Sequence, residues 1–180
     1  ENEFTINTNS NLAQDEYFTV VYTITLTDKT LSNTAVNNLA KAKSDTTDEV
    51  KDNVKINILE PKLAIKKDVN KEIFSTNEKA KYTIKVSQTV KDAIAKNVVI
   101  NDTFDTSLVK PENIKITDKN GNTVNTADIE IKENGFIINT NANLAQDEFF
   151  TITYDVIYSN AELSGKSVIN KAIAGSDNTK

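Results

Sequence analysis

The 180-residue sequence has no cysteine, histidine, tryptophan or methionine, and only four glycines and two prolines. Each absence removes something. Without cysteine there are no disulfides, no thiol nucleophile and no thiolate metal ligand. Without histidine there is no imidazole base and no histidine-bound metal. Ser-His-Asp hydrolysis, cysteine proteolysis and zinc hydrolysis are thereby excluded, and neither a cofactor nor a metal site is expected. So little glycine and proline rules out a collagen-like or low-complexity chain. No apolar run approaches the length of a membrane span and Glu1 does not open a signal peptide, so any export signal or anchor is expected outside this stretch. The 21 basic and 26 acidic residues are interspersed and sum to a net charge of −5, which leaves no basic footprint for nucleic acid. Carboxylate and lysine chemistry remain.

What the sequence does have is a period of two. Tyr82, Ile84 and Val86 alternate with Thr83 and Lys85. Val98, Ile100 and Phe104 alternate with Val99, Asn101 and Thr103, and Phe150, Ile152, Tyr154 and Val156 with Thr151, Thr153 and Asp155. Such alternation predicts strands with one face on a core and one in water, and the β-branched content agrees. Between them, Lys119-Asn120-Gly121-Asn122 reads as a tight hairpin turn. Thr89 to Lys96 is the one stretch with a helical look, expected as a short crossover. Several short strands at this spacing predict an all-β, Ig-like sandwich.

The chain also repeats itself. Residues 1–48 align without a gap on residues 133–180, and 25 of the 48 pairs are identical. Asn11-Leu12-Ala13-Gln14-Asp15-Glu16 recurs as Asn143-Leu144-Ala145-Gln146-Asp147-Glu148, and Asn38, Ala40 and Ala42 fall on Asn170, Ala172 and Ala174. Residues 1–60 therefore read as the C-terminal half of one Ig-like repeat, with its last strand near Val54 to Ile58. Residues 61–180 read as a second repeat, opened by Pro61 and lacking the counterpart of residues 49–60. A tandem array stacked on nearest neighbours is the expected architecture. Completion of the half domains by another chain is the less favoured alternative.

Four motifs carry a resemblance: Leu63-Ala64-Ile65-Lys66-Lys67-Asp68-Val69, Tyr82-Thr83-Ile84-Lys85-Val86, Ala95-Lys96-Asn97-Val98-Val99-Ile100-Asn101-Asp102-Thr103-Phe104 and Val168-Ile169-Asn170-Lys171-Ala172. In this order the pattern resembles the conserved repeat domain (domain of unknown function eleven) of bacterial and archaeal surface proteins. It also resembles the isopeptide-forming Ig-like repeats of Gram-positive fimbriae and adhesins. The resemblance implies a lysine on the first strand joined to an asparagine on a late strand, assisted by a buried acid.

Strand phase can be set against that implication. Leu63, Ile65, Lys67 and Val69 share one face, which carries Lys67 inward and Lys66 outward. Val98, Ile100, Asp102 and Phe104 share another, and Val168, Asn170, Ala172 and Ala174 a third, where the alanines leave room beside Asn170. Lys67 and Asn170 are thus the expected bonded pair and Asp102 the assisting acid. Glu148, in phase with Phe150 but at the edge of a turn, is the second choice. Asn38 is the equivalent acceptor in the first half domain. Each residue also has an ordinary reading: Lys67 reaching water from a strand end, Asp102 as a turn acid, Asn170 bonded to neighbouring backbone.

The expected function is a structural stalk or fibre segment of an extracellular, cell-surface, cell-wall or fimbrial protein. It is not an enzyme beyond a single self-crosslinking turnover. Its expected partners are neighbouring repeats or copies of the same protein, with no nucleic acid and no membrane contact in this segment. An adhesin-type module recognising a host protein or glycan is the alternative, but alternation places many of the Phe and Tyr in the core and leaves little exposed aromatic platform. The Asp118–Asn122 segment fails as a calcium loop, because Thr123 and Ile129 stand where such a loop needs Gly and Glu. Asp147 with Glu148, and Asp45 with Asp48, read as solvated loop acids, which makes paired-carboxylate glycoside hydrolysis remote.

Overall fold

A computed structural model of the chain describes residues 3–25, 31 and 33–179. It is all-β, and no helix among the described residues is long and apolar enough to cross a membrane. The strands in chain order are β1 (Thr34–Ser44), β2 (Thr47–Ile58), β3 (Leu63–Val69), β4 (Lys79–Gln88) and β5 (Val99–Phe104). They are followed by β6 (Pro111–Thr117), β7 (Asp128–Lys132), β8 (Gly135–Asn139), β9 (Phe149–Ile157) and β10 (Asn170–Gly175).

From β3 onward the strands form two antiparallel four-stranded sheets, ordered β3-β4-β9-β6 and β10-β5-β8-β7. Alternation decides which side of each sheet is buried. Along β4 every second residue (Ala80, Tyr82, Ile84, Val86 and Gln88) is buried, and along β9 so are Phe150, Ile152, Tyr154 and Val156. They meet Ile100, Phe104, Phe136 and Ile138 from the other sheet in one apolar core, the arrangement expected of an Ig-like sandwich. Burying a side chain of this size contributes roughly 1.5–3 kcal/mol. These orders leave β3 and β10 as edge strands on the same side of the sandwich, where they approach each other.

The crossover from Thr89 to Lys96 is not helical. Gln88, itself buried, donates from Nε2 to the Val90 carbonyl at 2.8 Å and accepts from the Val90 N–H. Ala95 is tied in a bridge to Leu144, and Asp92 adopts φ +63°. These local bonds satisfy the backbone in place of a helical ladder. The Asn-Gly turn is formed: Gly121 takes φ +84°, and the Asp118 carboxylate accepts from the backbone N–H of Asn120 at 2.8 Å and of Asn122 at 2.9 Å.

In the first sixty residues, β1 and β2 make a two-stranded hairpin, and the strand expected near Val54 to Ile58 begins earlier, at Thr47. Residues 3–25, which repeat the residues of β8 and β9, lie in no strand. Their turn nevertheless matches its copy in detail. Asp15 has φ +66° where Asp147 has +62°, and Glu16 accepts from the Ala13 N–H at 2.8 Å where Glu148 accepts from the Ala145 N–H at 3.0 Å. Phe4, Tyr17, Phe18 and Tyr22 are exposed, contrary to the alternation reading of the aromatics as core. Phe4, Phe18 and Tyr22 stand at the positions of the buried Phe136, Phe150 and Tyr154, but nothing among the described residues lies over them as β4 and β5 lie over the second copy.

Candidate functional site

Three strands bring the predicted residues to one place. On β5 and β10, Asn170 is paired with Phe104 and Ala172 with Asp102, so Asn170 and Asp102 are diagonal neighbours on the inner face, with the small Ala172 between them. On β3, Lys67 is paired with Ile84 of β4 and points from the facing sheet toward the same spot. The inner-face reading of all three residues agrees with this placement: Asp102 is fully covered, the Lys67 side chain is 16% exposed and Asn170 is half-buried.

The contacts form a chain. Lys67 Nζ donates to Asp102 Oδ2. Tyr154 Oη donates to Asp102 Oδ1 at 3.1 Å, and Asn170 Nδ2 donates to Tyr154 Oη at 2.7 Å. Asn170 Oδ1 is buried and accepts no hydrogen bond. A buried carbonyl left so costs about 1–3 kcal/mol, and it is the natural seat for one more donor.

Tyr154 is the member that sequence reading missed. The alternation of β9 placed it correctly in the core, as an aromatic, and gave its hydroxyl no role. The internal repeat held a signal: Tyr154 falls on Tyr22 just as Asn170 falls on Asn38. The ring is fixed by stacking on Tyr82, with centroids 5.1 Å apart and planes at 7°, and by an edge contact with Phe136 at 5.0 Å.

The rings of Tyr82, Tyr154 and Phe104 surround Lys67 Nζ at 5.4 to 5.9 Å from their centroids and cover most of it. Burial holds the Lys67 ammonium below the ordinary lysine range, against the pull of the Asp102 charge. The same burial pushes the Asp102 carboxyl up, again against its partner's attraction. Both shifts favour the neutral pair, an amine beside a carboxylic acid. The Tyr154 phenol is also driven up by burial and stays protonated.

The other predicted residues lie elsewhere. Glu148 caps its own turn and stands 4.0 Å from Lys119, outside the cluster. Asn38, on β1, donates to the hydroxyl of Tyr22, so the first copy of the repeat reproduces the asparagine–tyrosine contact of the second, with no lysine or acid bonded to it among the described residues. The ring pair is reproduced too: Phe4 and Tyr22 meet at 5.1 Å and 77°, Phe136 and Tyr154 at 5.0 Å and 77°. Phase carried Lys67, Asp102 and Asn170 inward; the tyrosine's part in the cluster was unread.

Among solved structures, the chain is similar to the full-length RrgB pilus protein of Streptococcus pneumoniae, with 13% identity and a TM-score of 0.48 over 79% of this chain. It is also similar to the collagen-binding domain of the Erysipelothrix rhusiopathiae surface protein RspB, with 12% identity and a TM-score of 0.37 over 78%. The chain spans 28% of the first and 59% of the second. No protein-family model and no curated protein matches it. The resemblance to the conserved repeat domain therefore rests on the motifs themselves.

Proposed function

We propose that the chain is a structural segment of an extracellular stalk or fibre, and that its second repeat closes itself with an amide bond between Lys67 and Asn170. The observation that carries this reading is the buried run Lys67–Asp102–Tyr154–Asn170, ending in a carboxamide oxygen without a partner. An ordinary structural ion pair would explain Lys67 and Asp102. It would not explain why they share a largely covered pocket with an asparagine on the edge strand beside β3.

The chemistry follows from the burial. The ammonium proton passes from Lys67 to Asp102, leaving a neutral amine and a neutral acid. Asp102 turns its proton to Asn170 Oδ1 and polarises the carbonyl, as a carboxyl kept neutral by its surroundings can. The amine attacks Cγ, and the oxygen takes the Asp102 proton. When the tetrahedral centre collapses, the C–N bond to the carboxamide nitrogen breaks. That nitrogen leaves as ammonia with a proton from the former amine, Asp102 recovers its own, and a secondary amide remains. Tyr154 orients the carboxamide throughout by accepting from Nδ2. Holding the groups together in this way replaces an encounter in solution, a gain of roughly 7–11 kcal/mol in well-oriented cases. The reaction runs once per molecule.

The consequence is mechanical. Residues 61–180 act as one closed repeat and residues 1–60 as the C-terminal half of another, in an array whose neighbours are further repeats or copies of the same protein. Force entering at β3 crosses the amide to β10 and leaves, so the roughly hundred residues between never carry it. Pulling single molecules by their ends tests this. Asn170→Ala should add an extension step of about 350 Å, the contour of that loop at roughly 3.4 Å per residue, which the native chain lacks. A native chain that extends as far as the variant would refute the reading.

A further inference from the structure

The first half domain carries the same face as the second, uncovered. Ile6 is 55% exposed where Ile138 is fully buried, and Tyr22 is 46% exposed where Tyr154 is 1%. Phe4, Leu12 and Phe18 are likewise exposed, against buried Phe136, Leu144 and Phe150. Exposed large apolar side chains grouped on one segment, two of them (Phe4 and Tyr22) in ring contact, mark an interaction site. What it fits can be read from the same molecule, because the identical residues of the second copy are covered by β3 to β6 and reached by Lys67 and Asp102.

We infer that residues 3–25 and 33–58 are a docking surface for a polypeptide segment of the type of residues 61–132, supplied in the same chain ahead of Glu1, and that Asn38 is its covalent acceptor. This rests on the Lys67–Asn170 closure proposed above and extends it to a second site. Three observations bear on it. The acceptor end is already assembled, with Asn38 on Tyr22 and Tyr22 edge-on to Phe4, as Asn170, Tyr154 and Phe136 are. The sequence at the junction matches, since β7 joins β8 through the two-residue turn Glu133-Asn134 and residues 1 and 2 are the same Glu-Asn pair in the repeat. The missing parts are those that residues 61–132 hold in the second repeat: the lysine, the acid and the strands that lie over the core.

One position differs in a way that bears on fit. Gly135 packs so closely on β5 that a Cβ there would collide with the carbonyl oxygen of Asp102, and the repeat places Glu3 at that point. A segment docking on the first half must give way opposite Glu3, or differ there from residues 99–104.

The test joins a copy of residues 61–132 ahead of Glu1 of the full chain, with Glu3 kept and, in a second version, Glu3→Gly. The denatured mass of at least one version should fall two ammonias below its sequence, with a branched peptide joining the added lysine to Asn38. Asn38→Ala should return one ammonia. If both versions lose a single ammonia, mapped to Lys67 and Asn170, and residues 4–24 gain no protection from hydrogen exchange, the inference is overturned while the closure of the second repeat stands. If no ammonia is lost, that closure and the acceptor role of Asn38 both fall. Protection of residues 4–24 then decides the docking surface: its gain upholds the surface and its absence removes it.

Discussion

Replacing Asn170 by alanine removes the proposed bond and little else. The side chain is on an edge strand, it donates to Tyr154, and its Oδ1 is unpartnered. Losing the first contributes about 1 kcal/mol of destabilisation, and losing the second returns a similar amount. What remains is loop closure. Lys67 and Asn170 bracket roughly a hundred residues, for which the chain-entropy relation gives about 4.7 kcal/mol. A domain of this size gains about 0.24 kcal/mol/K of entropy at its midpoint, from roughly 2.1 cal/mol/K per residue. The midpoint should then fall by about 20 °C, read by calorimetry on native and variant full-length chains. Lys67→Met should produce a similar fall, because it cuts the same bond from the other side. A drop of only a few degrees for Asn170→Ala, the size of one lost hydrogen bond, would refute the reasoning.

Three further outcomes follow from the same geometry. Asn170→Asp should still close, but with a mass deficit of one water instead of one ammonia, since the same amide forms with a different leaving group; a full-mass product would count against attack at Cγ. Tyr154→Phe keeps the stacked ring but strips Asn170 Nδ2 and Asp102 Oδ1 of a partner. It should slow the appearance of the mass deficit in freshly synthesised chain by up to about a hundredfold, while unlinked native-like fold persists by circular dichroism. In the unlinked Asn170→Ala chain, Lys67 titrates below the ordinary lysine range in the folded state, so the unfolded state binds more protons and stability rises with pH between the folded value and the ordinary one. Urea unfolding from neutral pH to about pH 10 should show that rise, and Lys67→Met in the same background should abolish it.

Most of the site was legible because strand phase is a simple code. A period of two places Lys67, Asp102 and Asn170 inward, and no tertiary information is needed to say so. That they converge depends on the sheet order, with β3 and β10 on the same side of the sandwich, which phase alone does not give. Glu148 shows the limit from the other direction: its phase with Phe150 is right, yet its carboxylate is taken by the Ala145 N–H three residues away. Glu16 makes the same bond to Ala13, so the block is a turn motif written into local sequence. The helical look of Thr89 to Lys96 failed for a similar reason, because the Gln88 side chain competes for backbone groups that a helix would use. Tyr154 needed more, since what its hydroxyl binds lies on the opposite sheet, and only the paired recurrence of tyrosine and asparagine could have pointed to it.

The most direct measurement is the intact mass of the denatured native chain, followed by peptide mapping. The reading predicts a mass one ammonia below that of the sequence, a branched peptide joining the Lys67 and Asn170 segments, and recovery of the full mass in Asp102→Ala. A native chain at full sequence mass, with Lys67 and Asn170 recovered in separate linear peptides, would contradict it.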